Sequence, residues 1–179
     1  MGWKVLCSMS SSFSIYKCDE LSFRYAYLLH LIDQTIKKMP LHRFYIPEGL
    51  YTEEDKKKLA QSITDHYVAV GLPAFYVVVL FIPVKKDSYY VGGKANDKFV
   101  RVAIQHIARQ FESNEVAQKF IDMYEKRLVP FIKDRGLDWE IAIENVDRNL
   151  WRENGLIPPL SNSEAEKKWI RLNKAVPYE

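Results

Sequence analysis

The chain has 179 residues, 47% of them hydrophobic and 27% charged, the composition of one globular domain large enough to bury a core and not of a disordered segment. Its net charge is +3, with Lys and Arg scattered along the chain, which argues against a nucleic-acid partner, and the longest apolar run, 74–84, is too short to cross a bilayer. Both cysteines, Cys7 and Cys18, lie ahead of Met39, and the four histidines have no ligand spacing, so neither a disulfide framework nor a metal site is expected to underlie the core.

Residues 1–38 differ from the rest: they hold both cysteines and a Ser-rich run but no proline. Leu6 stands where an N-myristoylation signal needs Ser or Thr, and the apolar stretch around Val5 is too short for a secretory signal. Residues 23–36 read as one short apolar helix. This segment is expected to be an artefact of the assigned start or a dispensable extension, followed by a domain over 39–159 and a helical tail over 160–179.

Met39-Pro40 has the form of a translation start, because methionine ahead of a small residue invites removal. A chain starting at Pro40 would carry a secondary amine, and an α-amino group titrates near ~8, suitable for base or acid work near neutral pH. Inside a longer chain the same nitrogen is an amide with no basicity. The structural alternative for Pro40 is a strand-initiating proline.

Residues 41–46 read as a first strand. Thr52 then caps a helix with Glu53, Glu54 and Asp55 in its first turn and an apolar stripe of Leu59, Ile63, Tyr67 and Val70, ended by Gly71 and Pro73. Residues 76–82 are continuously apolar, which predicts a central strand covered on both faces and ended by Pro83. A hairpin is expected around Gly92-Gly93, then a strand over 99–108 with Val100, Val102 and Ile104 on one face and Arg101 and Gln105 on the other. Ser113 caps a second helix with the stripe Val116, Phe120, Met123, Tyr124 and Leu128, and Pro130 should kink or end it. After Gly136, Trp139, Ile141 and Ile143 alternate with Glu140, Ala142 and Glu144 in a last strand, and 164–172 is amphipathic. The order β-α-β, hairpin, β-α-β predicts an α/β (α+β) fold: two tandem units forming a four-stranded sheet with two helices on one face. The bare face would then need a cover, most simply from symmetric copies.

The segments Pro40-Leu41-His42-Arg43-Phe44-Tyr45, 58–65, Gly71-Leu72-Pro73, Tyr90-Val91-Gly92-Gly93 and His106-Ile107-Ala108-Arg109 follow one another in an order that resembles the tautomerase superfamily, nearest its cis-3-chloroacrylic acid dehalogenase-like, oxalocrotonate tautomerase-like branch. That resemblance implies a homotrimer in the cytoplasm, a small-molecule carboxylate substrate, Pro40 as catalytic amine, and no cofactor, membrane or nucleic acid. It also implies that Arg109 holds the substrate carboxylate, since a guanidinium pairs both oxygens and stays charged. His106 falls where the dehalogenase pattern has a further arginine, and Arg152 is a second candidate anchor. Tyr67 stands at a catalytic histidine position, where it could polarise a carbonyl or simply pack. Arg152 falls at the water-activating glutamate, with Glu153 adjacent. Hydration or dehalogenation of a 3-substituted acrylate needs a placed carboxylate, whereas a tautomerase needs only an amine, a cationic anchor and a dry pocket. The expected activity is therefore enol–keto tautomerisation of a 2-oxo or dienol carboxylate. The alternatives are acrylate hydration or dehalogenation, and a non-catalytic oligomeric binding protein with Pro40 internal.

Overall fold

The computed structural model describes residues 40–107, 111 and 113–179; the extension with its expected helix over 23–36, and Arg109, lie outside the described residues. The chain runs β1 (Pro40–Pro47), α1 (Glu53–Ala69), β2 (Val78–Val84), the hairpin β3 (Tyr90–Val91) and β4 (Lys94–Ala95), β5 (Phe99–His106), α2 (Asn114–Leu128), β6 (Asp138–Asn145) and α3 (Glu164–Leu172). The four long strands form one sheet in the order β2-β1-β5-β6. β1 pairs parallel with β2 and β5 parallel with β6, while β1 and β5 meet antiparallel at the centre. Each crossover helix thus closes one β-α-β unit, and the hairpin reverses the chain between units.

Local chemistry accounts for the helix ends. Thr52 Oγ1 accepts from the Asp55 amide while the Asp55 carboxylate accepts from the Thr52 amide, a reciprocal capping box. Ser113 Oγ accepts from the Val116 amide at the start of α2, and the helix stops at Leu128, two residues before Pro130. Gly92 and Gly93 both take positive φ (58° and 78°), which a two-residue hairpin turn requires and which a side chain would oppose.

One face of the sheet packs on α1 and α2. Alternation puts Phe44 and Ile46 of β1, and Val100, Val102 and Ile104 of β5, against Leu59, Ile63, Tyr67, Phe120, Tyr124 and Leu128, all buried. On α1, His66 is buried where the periodicity had placed Val70, which is half-buried.

β2 corrects the expectation of a central strand covered on both faces. It lies at the sheet edge, starts at Val78, and leaves Val78 and Leu80 39% and 44% exposed. The physical reason is topological: the crossover lays β2 outside β1, and the hairpin returns the chain to β1's other side. Pro83, read as the strand's end, sits inside it opposite Ile46, because an edge strand tolerates a residue that donates no ladder bond. Residues 74–76 form a 3-10 turn and not part of the strand.

The open face is apolar towards β2 and polar towards β6. Arg43 Nη2 donates to Gln105 Oε1 (2.9 Å), and Gln105 Nε2 donates to Glu144 Oε2 (3.1 Å). Arg101 Nη1 reaches both carboxylate oxygens of Glu140 (3.0 and 2.9 Å). Among the described residues no helix is long and apolar enough to cross a membrane.

Candidate active site

Pro40 begins β1 and is buried, its side on the helix-packed face with His42, Phe44 and Ile46. Its partner across the antiparallel ladder is His106, the last residue of β5, and directly opposed residues in such a ladder share a face. Across β5 and β6, His106 pairs with Asn145, and the Val146 amide donates to the His106 carbonyl (2.6 Å). One end of the sheet therefore brings Pro40, His106 and Asn145 side by side.

Two helix tyrosines close over that end. Tyr67 Oη and His106 Nε2 are hydrogen bonded at 3.1 Å, and Tyr124 Oη and His42 Nδ1 at 2.9 Å. All four side chains are fully buried. The His42 ring stacks on Tyr124 (centroids 5.4 Å apart, planes 10° apart) and leans on Tyr67 (5.5 Å). Phe120 and Phe111 flank the His106 ring at 4.8 and 5.1 Å. Burial pushes the Tyr67 hydroxyl well above the phenol range, with Tyr124 adding to the shift, and burial does the same to Tyr124. His42 is pushed down to about 3 by burial and then by neighbouring His66, and burial followed by Arg127 lowers His66 to about 4. These groups are neutral at pH 7, and Tyr67, Tyr124 and His42 act as hydrogen-bonding dipoles.

That burial makes the fold acid-sensitive. Between pH 6.5 and the lowered native values, the unfolded chain binds protons that the native histidines refuse, so stability is complete above about pH 6.5 and falls below it. For His42 alone the loss at pH 4.5 is about 2–3 kcal/mol, and His66 adds in the same direction. Urea unfolding at pH 7 and 4.5 checks this: the pH dependence should shrink in His42→Phe, and an unchanged dependence would exclude His42 as its source.

The expected site residues divide in two. Pro40, His106 and Tyr67 come together at the strand end, whereas Arg109 lies outside the described residues. Arg152 is exposed, and its Nη1 donates to the carbonyls of Trp151 (2.7 Å) and Asn149 (3.4 Å). Glu153 is half-buried in a backbone bridge to Leu156; burial raises its carboxyl, offset in part by a hydrogen bond from the Trp151 side chain. Trp151 packs edge-on against Tyr76 (5.1 Å), next to the start of β2. His42, Tyr124 and Asn145 were missed as neighbours of this site. Counting by twos from Pro40 along β1 reaches His42, and along β6 from Trp139 reaches Asn145; Tyr124 carries no such signal, since its stripe position reads as plain core. Among the described residues no group of three or more His, Cys, Asp or Glu is placed to hold a metal.

Residues 39–174 match a family model described as "Putative oxalocrotonate tautomerase enzyme". The chain belongs to this family. Solved structures are similar to the chain as well. The chain is 47% identical to RhCC from Rhodococcus jostii RHA1, over 77% of this chain and 99% of that one, with a TM-score of 0.75. It is 39% identical to a probable enzyme from the thermophilic fungus Aspergillus fumigatus, over 80% and 100% of the two chains, with a TM-score of 0.76. N1, a member of the cis-3-chloroacrylic acid dehalogenase family, shares the fold at 15% identity over 72% and 88% of the chains, with a TM-score of 0.56. No curated protein matches the chain. The expected fold class and family both hold: two β-α-β units, a four-stranded sheet and a tautomerase architecture.

Proposed function

We propose that the chain, when its mature form begins at Pro40, is a tautomerase that interconverts the enol and keto forms of a 2-oxo or dienol carboxylate. The observation that carries this reading is Pro40 buried at the start of β1, opposite His106 and beside the Tyr67–His106 hydrogen bond, in a chain of the tautomerase family. Pro40 takes a proton from the enol oxygen and returns it to carbon; the enzyme needs no cofactor for that transfer. Arg109 holds the carboxylate as a bidentate partner, with His106 as hydrogen-bond donor and Arg152 as a further cation. In this reading residues 39–159 are the working domain. The bare sheet face, with Val78 and Leu80 exposed, is covered by two further copies; the fused 4-OT F6, an asymmetric trimer, shows the same fold at 18% identity and a TM-score of 0.54. The expected compartment is the cytoplasm.

A dry pocket and nearby guanidinium both favour the neutral amine. For a chain starting at Pro40, kcat/KM with the enol of a 2-oxo carboxylate should rise with pH through the amine's pKa and then level off. A rate that falls as the amine loses its proton would make Pro40 an acid. It would replace tautomerisation with hydration or dehalogenation of a 3-substituted acrylate, with the half-buried Glu153 as the water-activating carboxylate.

A further inference from the structure

The two buried histidine–tyrosine pairs are placed unevenly in a fold whose halves are built alike. His42 stands two residues from Pro40 on the same face of β1, and His106 ends β5 directly opposite Pro40. At the other end of the same two strands, the helix-facing positions are Ile46 and Val100, both buried and apolar. A core needs no imidazoles or phenols to pack, and burying polar groups costs free energy unless they are fully paired. Pairing is incomplete here: His42 Nε2 is buried with no hydrogen-bond partner among the described residues. Both histidine–tyrosine pairs thus stand at the proline end of the core, at a cost that stability alone does not explain, whereas the Tyr51 phenol, buried at the other end, donates to the Phe131 carbonyl.

Contacts run continuously from α2 to the strand end. Tyr124 is bonded to and stacked on His42, the His42 ring leans on Tyr67, and Tyr67 is bonded to His106, which faces Pro40. Each pair also ties one β-α-β unit to the other, since His42 and Tyr67 belong to the first and His106 and Tyr124 to the second. We propose that His42 and Tyr124 are positioning residues for the proton-transfer site, acting through Tyr67 to fix the His106 imidazole that faces Pro40. Neither touches the reacting atoms. Their task is that of an outer layer of hydrogen bonds that sets the orientation and tautomer of an inner imidazole. The inference rests on the reading of Pro40 as the proton-transfer group.

The test uses the full chain from Pro40 onward, with Tyr124→Phe and His42→Phe, which keep a ring in place and remove polar atoms, and Tyr67→Phe alongside. Two readouts are taken on folded protein: turnover of the enol of phenylpyruvate, and titration of the Pro40 amine by NMR with 15N-labelled proline. Tyr124→Phe and His42→Phe are each expected to lower kcat about tenfold with KM within about twofold, and to displace the amine's titration midpoint. The losses in Tyr124→Phe and Tyr67→Phe should combine to less than their product, because both act through the same imidazole. Parental kcat and an unmoved midpoint in both Tyr124→Phe and His42→Phe would overturn the inference and leave the tautomerase reading standing. A parent chain without turnover, whose amine midpoint still moves in the variants, would overturn the tautomerase reading while supporting the positioning role. A Tyr124→Phe chain that does not fold would assign its oxygen to stability, and His42→Phe would then decide the case by the same two readouts.

Discussion

A single residue placed ahead of Pro40 is expected to reduce tautomerase turnover by roughly 10²–10⁴-fold, the usual worth of a positioned acid–base group. Acylation turns the Pro40 nitrogen into an amide whose lone pair is delocalised into the carbonyl. It then neither accepts a proton nor titrates, although the ring can keep its place at the head of β1. The fold should survive, since the ladder from Leu41 onward does not use the Pro40 nitrogen as a donor. The measurement compares kcat for the enol of phenylpyruvate in a chain starting at Pro40 and one carrying a single alanine before it, both checked by intact mass. Equal turnover would remove the amine from the chemistry, and the binding-protein reading, with Pro40 internal, would take its place. The same comparison applies to the 179-residue chain, in which Met39 precedes Pro40.

Trp169→Ala is expected to lower the unfolding free energy by about 3–5 kcal/mol, the range for emptying a buried Trp site. Trp169 is 0% exposed, although it belongs to a nine-residue helix near the C-terminus. Its ring lies among Phe75 (6.1 Å), Tyr76 (6.2 Å) and Tyr178 (5.9 Å), and its Nε1 donates to the Val176 carbonyl at 2.7 Å. α3 is held at both ends: Ser163 Oγ accepts from the Glu166 amide, and Asn173 closes the helix in a left-handed conformation (φ 47°) while its Oδ1 accepts from the Phe75 amide. Trp169→Phe should lose less, about 1–2 kcal/mol, because it keeps most of the apolar contact and gives up the indole hydrogen bond. Urea unfolding at pH 7 measures both. A loss below 1 kcal/mol in Trp169→Ala would mean that 160–179 contributes little to the cooperative unit. Since Tyr76 leads into β2 beside the head of β1, a larger loss in turnover than in stability would show that this tail also shapes the site.

Much of the fold could be read from spacing. Thr52 with Asp55, Ser113 before Val116, and Pro130 after Leu128 act within one helical turn, so their local chemistry sets the helix ends in almost any tertiary setting. Alternation along 99–106 and 138–145 divides each strand into a helix-facing and an open side, because the side-chain period of a strand is two. The run 76–82 misled for a related reason. Apolar residues on both faces say that both faces are to be covered, but not by what, and among the described residues Val78 and Leu80 on the open face of β2 stay exposed.

The sequence by itself determined the order of elements, the cap residues, the two-residue glycine turn and the presence of a proline directly after Met39, since each depends on neighbours within a few residues. Only the tertiary structure decided that His106 ends its strand opposite Pro40, that Tyr67 spends its hydroxyl on that imidazole, and that His42 and Tyr124 stand behind them. It also decided that Arg152 turns to the backbone carbonyls of Asn149 and Trp151. The physical reason is register: partners 39 and 82 residues apart meet through the antiparallel pairing of β1 with β5 and the packing of two helices on them. A shift of one residue in that pairing would turn the side chains of one strand, carrying His42 or His106, to the other face and away from its tyrosine.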